Sequence, residues 1–119
     1  MKVLISDLLF PGDPAAVLGP LAAGPGLAIV LAPALDEEAD VPVRGNAELL
    51  DCESPARRRQ RVDEALAERY RAAYVRHFNL WREACRRRGV LFARVPCEGS
   101  LTDALIAEAY PTGAVEINT

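Results

Sequence analysis

Two groups of side chains in this sequence have the composition and placement to carry chemistry. Ser6 and Asp7 directly follow the apolar run Val3–Ile5, and the acidic stretch Asp36–Glu38 follows a second apolar run. In open α/β sheets, ligands bind at the carboxyl ends of the strands. Asp7 could therefore be a metal-site or a catalytic carboxylate, and with Ser6 it is predicted as part of a metal site, although a strand-end aspartate can also simply cap a loop. The acidic stretch could supply further metal ligands, but it is more typical of a solvated loop.

The other polar residues give no catalytic constellation. His77 is the only histidine and falls on the apolar face of a predicted helix, whereas a zinc site would need a second histidine or a cysteine pair. Arg57–Arg59 and Arg61 could form a phosphate or partner surface, although a solvated strand face fits the acidic chain better. The sequence contains no dinucleotide fingerprint, phosphate loop or nucleophile elbow. We therefore predict no catalytic residue, and no cofactor for this chain alone.

The composition is that of an ordinary globular chain. Its 119 residues are 50% apolar and 26% charged, and the net charge of -3 argues against binding to nucleic acid. Cys52, Cys85 and Cys97 lack paired spacing, which is typical of free thiols in a reducing cytoplasm. The apolar runs are far shorter than the ~20 residues that span a membrane, and no secretory signal pattern follows Met1. These features predict a cytoplasmic protein with no membrane segment in this chain.

The first part of the chain predicts a parallel strand–helix–strand unit. Val3–Ile5 is short and wholly apolar, as in strands that are buried on both faces. Asp13 before Pro14 predicts a helix start, and the helix should extend to about Ala23. Leu27–Ala32 predicts a second buried strand. A strand, a helix and a strand within about thirty residues form a right-handed parallel unit.

The second part predicts a hairpin, a long helix, a strand and a short helix. Two short strands joined by a turn should form a β-hairpin appended to the sheet. Apolar residues at three- and four-residue spacing predict a long amphipathic helix, which should pack against the sheet through Leu66, Tyr70, Phe78 and Trp81. The predicted bounds are Ala47–Cys52 and Arg57–Val62 for the hairpin, Asp63–Arg88 for the long helix, Val90–Val95 for the strand and Ser100–Tyr110 for the last helix.

Several stretches taken together resemble one known family. They are the opening Val3–Leu9, Arg44-Gly45 before Glu48–Ser54, the long helix with Tyr70, and Cys85–Val90 followed by Arg94–Pro96. Their order and spacing are similar to the C-terminal half of the bacterial family called domain of unknown function fifty-eight, from about Lys2 to Tyr110. Members of that family have a von Willebrand factor A-like fold and are often encoded beside MoxR-type AAA ATPases.

The resemblance implies an α/β fold with three layers. It would contain part of a doubly wound, Rossmann-like parallel sheet with an added β-hairpin, in a single domain over residues 1–113 with a tail at 114–119. In von Willebrand A-like domains a divalent metal lies at the carboxyl edge of the sheet, and Asp7 matches the aspartate at the end of the fourth strand. The first-strand Asp-x-Ser-x-Ser motif of such sites does not occur in this chain. Mg²⁺ is therefore expected only in an intact domain.

Two functions from different classes follow. The first is a non-enzymatic protein-interaction module of a von Willebrand A-like domain, working with a protein partner such as a MoxR-type AAA ATPase. The alternative is a small metal-dependent phosphohydrolase or nuclease that uses Asp7 and Asp36–Glu38. The strand that would flank Val3–Ser6 belongs to the half of the fold that this chain does not cover. Val3–Ser6 should therefore have an open apolar edge, and we expect a homodimer with these strands or the nearby faces in contact. A swapped arrangement of the two copies is a second way to satisfy the same groups.

Overall fold

The strands form two separate sheets. A computed structural model describes residues 1–116 and contains β1 (Lys2–Ile5), β2 (Ala28–Ala34), β3 (Gly45–Leu50), β4 (Arg57–Val62) and β5 (Leu91–Pro96). Three strands form a parallel sheet in the order β1–β2–β5, in which Val3 lies beside Ile29 and Ile29 beside Leu91. β3 and β4 form an antiparallel hairpin in which Glu48 lies opposite Arg59. The predicted parallel unit and the predicted hairpin are confirmed, although the first hairpin strand begins and ends two residues before its predicted bounds.

Side chains at the helix starts satisfy free backbone amides. The helices are α1 (Pro14–Ala22), α2 (Glu64–Arg87) and α3 (Leu101–Ala104), and α3 continues into a π-turn over Leu105–Ala109. The Asp13 carboxylate accepts a hydrogen bond from the Ala15 amide at 2.9 Å, and the Asp63 carboxylate accepts one from the Leu66 amide at 2.8 Å. Gly89 follows α2 with a φ of +64°, a conformation that glycine adopts without strain. The two longer helices thus lie where the sequence predicts them.

The main core lies between one face of the parallel sheet and α1 and α2. Phe78 and Trp81 pack there as predicted, and Leu66 is half-buried. The prediction for Tyr70 is wrong, because its side chain is 39% exposed and its hydroxyl donates to the Glu38 carbonyl at 2.5 Å. Its ring therefore lies over the segment that follows β2 and not over the sheet. The buried cluster includes Ala28, Val30 and Ala32 from β2 and Tyr74, Phe78, Trp81 and Cys85 from α2.

The opposite face of the sheet is covered over β5. The segment from α3 through the π-turn packs against β5, and Ala93, Val95, Ala104 and Ala109 are buried there. β1 instead contacts mainly β2 and α1. The chain therefore has a mixed α/β fold in which β5 is covered on both faces and β1 on one.

Two predictions about the sheets are wrong. β1 is not buried on both faces, since Val3 is 45% and Ile5 is 67% exposed. The reason is its edge position, because the core packs against Leu4 on one face and leaves the other face open. The hairpin does not extend the main sheet, because β3 and β4 pair only with each other among the described strands. Of the tail predicted at 114–119, residues 117–119 lie outside the described residues.

Candidate functional site

The segment after β1 is folded back by its own side chains. The Ser6 hydroxyl accepts a hydrogen bond from the Leu8 amide, and the Asp7 carboxylate accepts one from the Leu9 amide, both at 3.0 Å. Such bonds to the backbone two residues ahead form tight turns. The two residues predicted as metal ligands thus lie at the carboxyl end of β1, and each of them shapes the loop.

Leu8 is the residue that these turns position. Its φ is +60°, a left-handed conformation that bulky L-residues rarely adopt, and its side chain is fully buried. The His77 ring on α2 is half-buried, and its Nε2 lies 2.6 Å from the Leu8 carbonyl oxygen. Because a carbonyl oxygen can only accept, His77 donates this hydrogen bond. His77 therefore holds the loop against α2, and no local sequence pattern indicates Leu8 as its partner.

An apolar groove of about 420 Å³ opens beside this loop. The Tyr70 and Tyr74 rings lie 6.3 Å apart between centroids, and Phe10 meets Trp81 edge to face at 5.8 Å. Most of the lining is apolar or aromatic, and the Nε2 atom of its one histidine, His77, is already bonded to the Leu8 carbonyl, so the groove mainly offers apolar contact. The lining residues are Leu9, Phe10, Pro11, Tyr70, Tyr74 and His77.

Arg94, in the second half of β5, carries a half-buried positive charge. Its guanidinium carbon lies 3.9 Å from the Phe78 ring centroid and 5.2 Å from the Tyr74 ring centroid. Its Nη2 also donates to the Tyr74 hydroxyl at 2.5 Å. These contacts with aromatic faces offset part of the free-energy cost of removing the charge from water. The sequence analysis did not predict that Arg94 would contact aromatic rings. The feature that could have indicated it is a single charged residue inside an apolar strand.

The acidic stretch Asp36–Glu38 takes part in hydrogen bonds around the end of β2. It forms most of a short 3-10 turn, the Asp36 amide donates to the Glu98 carboxylate, and the Glu38 carboxylate accepts from the Leu35 amide at 3.1 Å. Across residues 1–116, no group of three or more histidine, cysteine, aspartate or glutamate side chains is placed to hold a metal ion. The carboxylates that the alternative hydrolase function would use are thus not gathered with Asp7 into one cluster.

The cysteine thiols are free, as predicted. Burial raises the pKa of the Cys85 thiol to about 11, so this thiol is protonated at neutral pH and is a poor nucleophile. Cys52 and Cys97 are exposed, and the Cys97 thiol donates to the Val95 carbonyl at 3.3 Å. Within residues 1–116, no hydrogen bond joins any of these thiols to a histidine ring.

The outer edge of β1 presents backbone groups that pair with no other strand among residues 1–116. The Ser6 amide donates to the Leu31 carbonyl at 3.1 Å, which sets the alternation of bond directions along β1. The amides and carbonyls of Val3 and Ile5 consequently point away from β2. Both residues also have exposed apolar side chains, and neither is a charge or a proline of the kind that protects sheet edges. This edge is therefore suited to pairing with another chain.

These features define a mixed α/β domain with a parallel three-stranded sheet, an antiparallel hairpin and an open apolar sheet edge. No protein-family model, curated protein or solved structure matches this chain. Within the part of the chain that the structure describes, no helix is both long enough and apolar enough to cross a membrane.

The geometry around Asp7 leads to a prediction about metal binding. One carboxylate and one hydroxyl supply far fewer than the about six oxygen ligands that Mg²⁺ requires, and both groups already accept backbone hydrogen bonds. Calorimetric titration of this chain with Mg²⁺ should therefore show no saturable binding in the micromolar range, and Asp7→Ala should give the same heats. Micromolar binding that disappears in Asp7→Ala would contradict this expectation and favour the hydrolase.

Proposed function

We propose that this chain is a non-enzymatic protein-interaction module and that two copies pair through their β1 edges. The observation that carries the proposal is the coincidence of outward-facing backbone groups and exposed apolar side chains at Val3 and Ile5. An edge strand of this kind gains main-chain hydrogen bonds and buries apolar surface in one step when it pairs with a second chain.

The direction of the free backbone groups specifies how the two copies would pair. In an antiparallel arrangement with the two-fold axis at Leu4, each Val3 faces Ile5 of the other copy, and the pair exchanges both of its hydrogen bonds. The two Leu4 residues then form a non-hydrogen-bonded pair with Cα atoms about 4.5 Å apart. A two-fold axis makes the interface self-complementary, so one edge is sufficient to form a closed dimer.

Disulfide formation tests this register directly. In a background with Cys52→Ser and Cys97→Ser, Leu4→Cys should give a covalent dimer under mild oxidation, because its partner lies within the distance range of a disulfide. Ile5→Cys is the matched control, since the residue is 67% exposed but would lie more than about 7 Å from its own copy. Efficient cross-linking of Ile5→Cys without cross-linking of Leu4→Cys would show that the register is wrong.

Light scattering tests the dimer itself. The wild-type chain should have about twice the mass of the 12.9 kDa monomer at micromolar concentration. Val3→Pro should be monomeric and folded, because it removes a donor that points outward and leaves the bonds to β2 intact. A wild-type chain that stays monomeric would overturn the proposal.

The partner and the finer fold assignment rest on the resemblance. We propose that the module is von Willebrand A-like, that it functions in the bacterial cytoplasm and that it contacts a MoxR-type AAA ATPase. The parallel sheet and the position of Asp7 at the carboxyl end of β1 support this assignment. Size-exclusion chromatography of the chain mixed with the purified ATPase is the test. Unchanged elution of both proteins at micromolar concentration would argue against this partner without affecting the dimer.

A further inference from the structure

The β3–β4 hairpin forms an arm that makes few contacts with the rest of the described chain. β3 and β4 contact each other extensively but make only slight contact with the other described elements. The Cα radius of gyration of the chain is 16.6 Å, compared with about 13.5 Å for a compact domain of this length. A two-stranded hairpin is only marginally stable in water without a further strand or helix against it. Pairing of a third strand with the arm would therefore be expected to stabilise the hairpin.

Ion pairs fix the base of the arm to the body. Arg44, just before β3, contacts Glu64 at the start of α2 at 3.1 Å. Arg71 on α2 bridges the Glu64 carboxylate at 2.8 Å and the Asp40 carboxylate at 2.7 Å. Hydrogen bonds from Arg71 hold the pKa of both carboxyl groups below their ordinary values. The strands thus leave the body at a defined place, while their outer ends remain exposed.

One face of the arm carries an excess of positive charge. Side chains alternate between the two faces of a strand, so Arg57, Arg59 and Arg61 share one face. Glu48 on β3 is the carboxylate paired with this row, 3.8 Å from Arg57, and Arg59 and Arg61 form no ion pair within residues 1–116. These arginines stand out in a chain whose net charge is -3.

The backbone of the same three arginines forms the free edge of β4. The Asp51 amide donates to the Ala56 carbonyl at 3.0 Å, which makes this a hydrogen-bonded pair and sets the alternation along the hairpin. Arg58 and Gln60 therefore bond to β3, whereas Arg57, Arg59 and Arg61 direct their amides and carbonyls outward. Outward backbone groups and a guanidinium without an ion pair within residues 1–116 therefore coincide at Arg59. The Arg57 guanidinium lies 3.8 Å from Glu48, and the Arg61 carbonyl accepts a hydrogen bond from the Gln60 side chain at 3.2 Å.

We propose that the outer edge of β4 binds an extended acidic segment of a partner protein as a third strand. Main-chain hydrogen bonds would provide the pairing, as in other cases of strand addition. Carboxylates at every second position of the segment would lie on the arginine face, where guanidinium groups form short, bidentate contacts with them. This surface is separate from the β1 edge, so the inference goes beyond the proposed dimer and does not depend on it.

Fluorescence anisotropy with a labelled peptide of alternating glutamate and threonine tests the proposal. We expect saturable binding to the full chain, and Arg59→Gln should weaken it by about tenfold or more. Arg58→Gln is the matched control, because it removes the same charge from the same strand but on the opposite face, and it should weaken binding by less than about threefold. Neutral substitutions are used because Glu48 lies opposite Arg59, where a second carboxylate would destabilise the hairpin. The same peptide with N-methylated glutamates keeps its charge and should lose binding, since it lacks the required amides.

Several results would overturn the proposal. Equal losses in Arg58→Gln and Arg59→Gln would show general charge attraction, and unimpaired binding of the N-methylated peptide would exclude strand addition. A single-stranded DNA oligonucleotide of equal charge that bound more tightly than the peptide would assign the arginine face to nucleic acid. Absence of peptide binding would also overturn it. Thermal melts of both variants should match the wild type, because none of the arm's arginines belongs to the buried core.

Discussion

Trp81→Ala should lower the free energy of unfolding by about 3–5 kcal/mol. The Trp81 side chain is 1% exposed, lies in the main core and meets Phe10 edge to face. Removal of the ring leaves a cavity that the surrounding side chains fill only in part. Since small domains have a total stability of about 5–15 kcal/mol, this loss should be visible as a large shift in the denaturant midpoint.

Leu80→Ala is the control for this measurement. Leu80 is the neighbouring residue on α2, and its side chain is 63% exposed. Its truncation should change the free energy of unfolding by less than about 0.5 kcal/mol. Similar losses in the two variants, or a loss below about 1 kcal/mol for Trp81→Ala, would mean that a different face of α2 packs on the sheet.

The elements that the sequence predicts well are those specified by local patterns. Asp13 caps α1 as predicted, because capping depends on a side chain and the backbone two or three residues ahead, and Asp63, predicted as the start of the long helix, caps α2 in the same way. The parallel β1–α1–β2 unit is likewise encoded by two apolar runs on either side of a capped helix. The position of Trp81 in the core follows from helical periodicity.

The features that the sequence did not predict depend on distant neighbours. The exposure of Val3 and Ile5 follows from the absence of a covering element over that face of β1 among the described residues. The hairpin is also separate from the main sheet. Which strands pair depends on distant parts of the chain, and the sequence of a short polar strand does not specify its partner. Tyr70 has the helical spacing of a core residue, but its hydroxyl finds a carbonyl on the segment after β2.

The candidate site was predicted in position but not in detail. The sequence places Ser6 and Asp7 at the carboxyl end of the first strand, and they lie there. Their hydrogen bonds to the amides of Leu8 and Leu9 could not be read from residue types alone, since serine and aspartate fit both a loop cap and a metal site. The contact of His77 with the Leu8 carbonyl spans 69 positions of the chain, so local patterns give no information about it.

Leu8→Gly should be less destabilising than Leu8→Ala, which reverses the usual order of these two residues. Both variants lose a side chain that is fully buried, and Leu8→Ala should cost about 2–5 kcal/mol. Alanine keeps the strain of a non-glycine residue at a φ of +60°, which amounts to about 1–2 kcal/mol. Glycine relieves that strain but makes the unfolded chain more flexible, which lowers the stability of the fold. The free energy of unfolding of Leu8→Gly should therefore exceed that of Leu8→Ala by about 1 kcal/mol.

Leu18 provides the matched comparison, because its side chain is also fully buried but lies within α1. At this helical position, Leu18→Gly should be more destabilising than Leu18→Ala by about 1 kcal/mol. The two sites should therefore differ by about 2 kcal/mol in the preference between glycine and alanine, measured by urea unfolding of the four variants. If alanine is preferred at both positions, the backbone at Leu8 is not left-handed in solution. The bonds from Ser6 and His77 would then not hold the loop as described.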